Sequence, residues 1–430
     1  MCNKMEALIV AELKKSISVK KGIILAVSMV IGSGLMGLPG ITLQKANVYE
    51  VMSGWFITIA AVLPLIYIFA KLGSLFPSAA GLAKYAEVAF GKRGRYLATY
   101  ILIGTFIIGL PGIALIGGDF IRRVFCQSEN MINFYAMIIL VAAAIQNILS
   151  QRITHLINTI SVIVLSLILT LLIILNFNYV YEGIKVTAGI NFENIKLIKL
   201  WNVSALIFWA FLGWENLSFG LEEFKDPEKS IPKVYFGSFF IVVVFYLLLA
   251  LASAGAKHNG IAIEGASGLS LLFKGEIFSK FITAAMGAVI AANCGAWAFG
   301  ASRLLFSAGR EEIVPKKFGV LDKKGNPIFS VLILAATYFI ILLICYIFNI
   351  GVDILMMLVN QNFIVLYGMS ISAYFGITKG KKKFLITSLS VAALLFFISG
   401  FTYMMIYPII LGSAGIIAGK KVENGNRKGE

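Results

Sequence analysis

Charge is what this chain has least of. Only 13% of its 430 residues are Asp, Glu, Lys or Arg and just two are His, whereas 59% are hydrophobic at a mean hydropathy of +0.90. A water-soluble domain cannot solvate such a composition. The scarcity also removes most chemistry. His155 and His258 stand far apart, no glycine-rich phosphate loop ends in Lys, and no nucleophile–base pair falls inside an apolar run. The expectation is therefore a protein that is not an enzyme, without metal or cofactor. The four cysteines, Cys2, Cys126, Cys294 and Cys345, have no paired spacing, so neither a disulfide nor a zinc site is expected.

What the chain does have is long apolar runs. They are continuous rather than alternating with period two, which excludes a β-barrel and predicts an all-α polytopic membrane protein. The spacing predicts twelve transmembrane helices, over 22–44, 51–75, 96–121, 132–149, 153–176, 202–221, 234–256, 277–306, 328–348, 353–377, 384–400 and 403–419. The first run is too long for a cleavable signal peptide and lacks a small-residue cleavage pattern.

Twelve spans put both termini on one side. Lys45, Arg122, Arg123, Lys185, Lys196, Lys199, Lys257, Lys274 and Lys280 then fall outside, and all the rest of the 37 Lys and Arg fall inside. That bias predicts cytoplasmic N- and C-termini in the cell (inner) membrane. The net charge of +16 is a topology signal and gives no reason to expect a nucleic-acid partner.

The first span carries "IGSGLMGLPG", Ile31 to Gly40, and so is predicted to break at Gly32-Ser33-Gly34. The sixth, running in the opposite sense, carries "FWAFLGWEN" with Gly213 two residues before Glu215. Two breaks five spans apart in oppositely directed helices are the signature of an inverted repeat. The expected division is an N-terminal segment 1–21, a ten-helix core 22–377 (repeats 22–176 and 202–377), two further helices in 384–419 and a tail 420–430.

Backbone unwound at the membrane midplane survives only where it lines a cavity. The half-helix starting near Gly34 points its amides at that midplane, where a carboxylate fits. The half-helix ending near Leu212 presents carbonyls there, where an ammonium fits. A lone GSG is also a common packing seam; its counterpart in the sixth span favours the receptor reading. Glu215 is the one acid placed deep in a span, and it either satisfies loose amides across the break or couples a proton. Trp55 and Trp201 are expected as interfacial anchors, Trp214 as packing, and Trp209 and Trp297 as covers over the cavity. Pro111 either kinks its helix or borders the pocket. Asn360 and Asn362, in the triplet with Gln361, either bond neighbouring helices or touch a ligand.

"GSGLMGLPG", "WAFLGWEN" followed by "EEFKDPEKSIPKV", and "SRLLFSAGREEIVPKKFGVLDKKGNP" resemble the amino acid–polyamine–organocation (APC) permeases in order along the chain. "FPSAAGLAKYAEVAFG" fits the segment between the second and third spans, and "GLPGIALIGGDF" is most similar to bacterial exporters of methionine and branched-chain amino acids. The resemblance implies a LeuT-like five-plus-five inverted repeat with broken helices 1 and 6 and transport by alternating access. It further implies that Gly32, Ser33 and the Gly34 amide surround the substrate carboxylate. Carbonyls of Val30, Trp209 and Leu212, beside Gly213, would take the amine, Trp209 and Trp297 would gate, and Glu215 would be the gating acid. Some proton-coupled members carry a lysine in the fifth helix; none occurs here between Gln151 and Glu182, so coupling to H+, to Na+ or to exchange stays open.

The expected function is secondary active transport of neutral hydrophobic amino acids, by export or exchange. The alternative is a cationic amino acid or polyamine permease, and from a different class a non-transporting amino acid sensor. The expected partners are the amino acid and the lipid bilayer, with the protein a monomer or homodimer.

Overall fold

Apolar runs in lipid leave the backbone no hydrogen-bond partner but itself. The described residues accordingly form fifteen α-helices and one isolated β-bridge. The computed structural model describes residues 15, 17–78, 81–149, 151–218, 221–322, 326–399 and 402–427. In chain order the helices are α1 (Val19–Val30), α2 (Ser33–Lys45), α3 (Val48–Leu75), α4 (Leu82–Val124), α5 (Ile132–Leu149), α6 (Gln151–Leu175), α7 (Phe177–Ala188) and α8 (Leu197–Ile207). They continue as α9 (Trp214–Ser218), α10 (Pro227–His258), α11 (Glu276–Arg310), α12 (Ile328–Ile347), α13 (Val352–Ile377), α14 (Lys381–Ser399) and α15 (Ile406–Arg427).

Among the described residues, eight helices are long and apolar enough to cross a membrane, or nine if the bent pair α6–α7 counts as one. The protein is a multi-pass membrane protein. The halves of the first expected span, α1 with 12 residues and α2 with 13, are each too short to cross alone and escape that criterion. Exposed apolar side chains such as Leu167, Ile174, Phe339, Ile340 and Ile347 belong against lipid chains.

Several ends differ from expectation. α3 starts at Val48 because Asn47 and Glu50 form a capping box, each side chain taking the other's backbone N–H at 2.9 Å. α4 extends 14 residues before the expected 96, through a kink at Gly91 (φ 65°). α7 was expected as loop; its Val180, Gly183 and Val186 recur every three residues, and that buried stripe packs on α10. α15 continues beyond 419 to Arg427. Of the N-terminal segment, residues 1–14 and 16 lie outside the described residues.

α4, at 43 residues the longest helix, packs against α5, α11, α13 and α15, while α10 packs against α1, α3 and α7. Straps close both ends of the broken first span. At one end the Ile17 N–H donates to Glu223 O at 3.0 Å, and Ile17 O accepts from Lys225 N at 3.3 Å. At the other, a Cβ on Gly40 would lie 2.0 Å from the Gly265 carbonyl oxygen, so α2 presses directly on the loop before α11. That loop is held by Asp119, buried at 4% exposure, whose Oδ2 accepts from the Ser267 N–H and Oγ, each at 2.8 Å. Its Oδ1 accepts from Arg122 Nε at 2.7 Å.

Candidate functional site: two facing helix breaks

The first break is two residues long. Ile31 (φ −75°, ψ 103°) is extended and Gly32 (φ −145°, ψ −147°) is non-helical between α1 and α2. No side chain caps α2, so its first-turn amides are left for another partner. The second break follows α8. The chain tightens into a 3-10 turn, Phe208–Phe211, and is extended at Leu212 (φ −83°, ψ 147°). It then turns at Gly213 with φ +127°, a conformation L side chains rarely adopt, before α9 starts at Trp214.

Three contacts hold the breaks together. The Tyr246 hydroxyl of α10 lies 2.5 Å from Ala210 O and 3.2 Å from Val30 O, so one proton is shared between a carbonyl of each broken helix. A Cβ on Gly34 would lie 2.7 Å from Trp209 Cδ1, so the indole rests on the first turn of α2 only because residue 34 has no side chain. A Cβ on Gly213 would lie 2.7 Å from Met29 O. Between the breaks is a cavity of about 20 Å³, lined by Met29, Val30, Gly32, Gly34, Trp209, Ala210, Leu212, Asn293 and Trp297. It has room for roughly one water molecule; anything the size of an amino acid would fit only if the walls separated.

Of the residues picked out from sequence, Val30, Gly32, Gly34, Trp209, Leu212 and Trp297 come together on this lining. Gly213 adjoins it. The Ser33 side chain lies outside the described residues, though its backbone begins α2. Pro111 stays within unbroken helix. Its glycine neighbours let the indoles approach: a Cβ on Gly109 would lie 3.6 Å from Trp297 Cζ3, and one on Gly112 would lie 4.0 Å from Trp209 Cη2. Asn360 and Asn362 tie helices together instead, donating to Ala205 O at 2.6 Å and to Thr105 Oγ1 at 3.1 Å.

Glu215 sits behind the cavity, not on its wall. It is 2% exposed, accepts the Gly213 N–H on Oε1 at 2.7 Å and accepts the Tyr367 hydroxyl on Oε2 at 3.0 Å. The side chain thus satisfies an amide freed by the break and fastens α9 to α13. Trp214, 1% exposed, packs on Tyr235 and Phe239 as expected. Trp55 does not anchor at an interface: it is fully buried, edge-on to Tyr246 at 5.6 Å and Phe211 at 6.4 Å. Its place on the inward face of α3, next to the clamping tyrosine, overrides its position near a span end.

Sequence reasoning missed Tyr246 and Asn293. Each lies mid-way along an apolar run, where a tyrosine or asparagine gives no signal until the helix face turned to the breaks is known.

A multi-pass helical protein with two broken helices around a small cavity has the architecture of a membrane permease. The amino acid permease family matches residues 17–421, and the chain belongs to that family, within the APC superfamily. It is 26% identical over 435 residues to an uncharacterized amino acid permease, YecA, of Bacillus subtilis, covering 97% of this chain and 98% of that one. It is 24% identical over 319 residues to the putrescine transporter PotE of Haemophilus influenzae, covering 73% of each. It is 24% identical over 270 residues to the L-methionine/branched-chain amino acid exporter YjeH of Escherichia coli K12, covering 59% of this chain and 62% of that one.

Proposed function

We propose that the chain is a secondary active carrier of neutral, hydrophobic α-amino acids, working by alternating access in the cell (inner) membrane, by export or exchange. The observation that carries this reading is the lining of the cavity. It is made of residues of the two breaks with Asn293, Trp209 and Trp297, α2 begins there without a side-chain cap, and no carboxylate or cationic side chain is among the lining residues. Helix-terminal amides favour a carboxylate and helix-terminal carbonyls, each with a second lone pair, an ammonium. A charged cargo side chain would meet no counter-charge there.

Twelve spans with both termini inside, in two inverted five-helix repeats, fit the distribution of Lys and Arg and the positions of the two breaks. The straps at 17–225 and 40–265 are then the inner and outer closures, and the cavity between them belongs to an occluded state. Glu215 is the group through which a proton would be coupled, with Tyr367 carrying its charge state to α13.

The similarity to a putrescine transporter favours a second reading, an amine or cationic amino acid permease. Purified protein in liposomes separates the two. Counterflow with labelled leucine, methionine, phenylalanine, arginine and putrescine, repeated across a pH gradient and with or without sodium, is expected to show exchange of the first three. Exchange of arginine or putrescine alone would reverse the assignment, and binding without counterflow would make the protein a sensor.

A further inference from the structure

We propose, resting on the amino acid reading of this cavity, that Asn293 reads the carboxylate of the cargo and thereby selects amino acids over their carboxylate-free analogues. Asn293 lies on α11 one turn before Trp297, so both project on the same face into the cavity. Its amide stands over the first break: a Cβ on Gly32 would lie 3.4 Å from Asn293 Nδ2 and 3.5 Å from Oδ1. Gly32 is the residue from which α2 and its uncapped amides begin.

Several asparagine amides of the core donate to neighbouring elements, whereas the amide of the buried Gln361 does not but is not on the cavity lining. Asn147 Nδ2 donates to Ala143 O at 2.8 Å and Gly295 O at 3.0 Å, Asn360 donates to Ala205 O, and Asn362 donates to Thr105 Oγ1. Asn293 has no such partner among the described residues, and it lines the cavity. Trp209 and Trp297 offer only indole donors, so Asn293 is the one side chain on the lining with both a donor and an acceptor.

A carboxylate has about four lone-pair sites. The α2 amides would approach it along the helix axis and engage one oxygen, leaving the second open to a side-chain donor. Nδ2 supplies that donor from the side, across Gly32. An amine or amide cargo offers no second anionic oxygen, so it gains nothing from Asn293.

The test is competition for labelled-leucine counterflow in liposomes, comparing unlabelled leucine with leucinamide on the wild-type protein, Asn293→Leu and Asn293→Asp. Asn293→Leu is expected to weaken leucine about tenfold, the scale of a hydrogen bond to a charged group, while leucinamide stays within about twofold. Asn293→Asp sets one carboxylate against another and is expected to weaken leucine further. Unchanged leucinamide affinity also shows that the variants are folded. Equal weakening of both ligands would mean that Asn293 only shapes the wall, and no weakening would mean that it does not touch cargo; either result overturns the inference alone. A wild-type protein that exchanges no neutral amino acid would overturn the reading of the site and this inference together.

Discussion

At Glu215 both carboxylate oxygens are occupied, one by the Gly213 N–H and one by the Tyr367 hydroxyl. A buried carboxylate without partners is costly in a membrane; here it repairs a break and joins two elements. Glu215→Gln preserves an acceptor for Gly213 and a polar partner for Tyr367, so the purified variant is expected to bind leucine within about threefold of wild type. Glu215→Ala strands both groups at about 1–3 kcal/mol each. It is expected to lower the melting temperature and weaken leucine about tenfold or more. Equal behaviour of the two variants would show that these contacts do not support the site. Glu215 was legible in the sequence because an acid in an apolar run is conspicuous. Tyr246, which joins Val30 O to Ala210 O, was not, since one tyrosine among many apolar neighbours looks like packing until α10 is docked.

The broken helices were legible as elements because glycine marks both discontinuities: Gly32 in the first, and Gly213, held at φ +127°, in the second. What the linear pattern did not reveal was how they meet. The close approach of Trp209 to Gly34 depends on the 3-10 turn at 208–211, which rotates the indole toward α2, and that turn has no glycine or proline to announce it. Likewise α7 hid in an expected loop because its apolar stripe is only 12 residues long. Gly34→Val places a branched side chain where Trp209 Cδ1 already lies, 2.7 Å from the Cβ position. The expected outcome is a protein that still inserts and elutes as a single species but binds leucine at least about tenfold more weakly, a loss of ~1.4 kcal/mol. Wild-type affinity in this variant would reduce the first break to a packing seam.

For the whole molecule, composition alone set the class, since 59% hydrophobic residues in long continuous runs admit little besides a helical membrane protein. The cavity of about 20 Å³ between two strapped ends adds what composition cannot express: on the proposed reading the receptor and its closures are one object, and binding would require that object to open. The central claim is that two backbone breaks recognise the α-ammonium and α-carboxylate of the cargo together. Counterflow of labelled leucine from liposomes loaded with leucine, N-acetyl-leucine or the decarboxylated amine of leucine tests it most directly. Only leucine itself is expected to drive exchange, because each analogue lacks one half of the zwitterion. Exchange with either analogue at the rate of leucine would contradict the account.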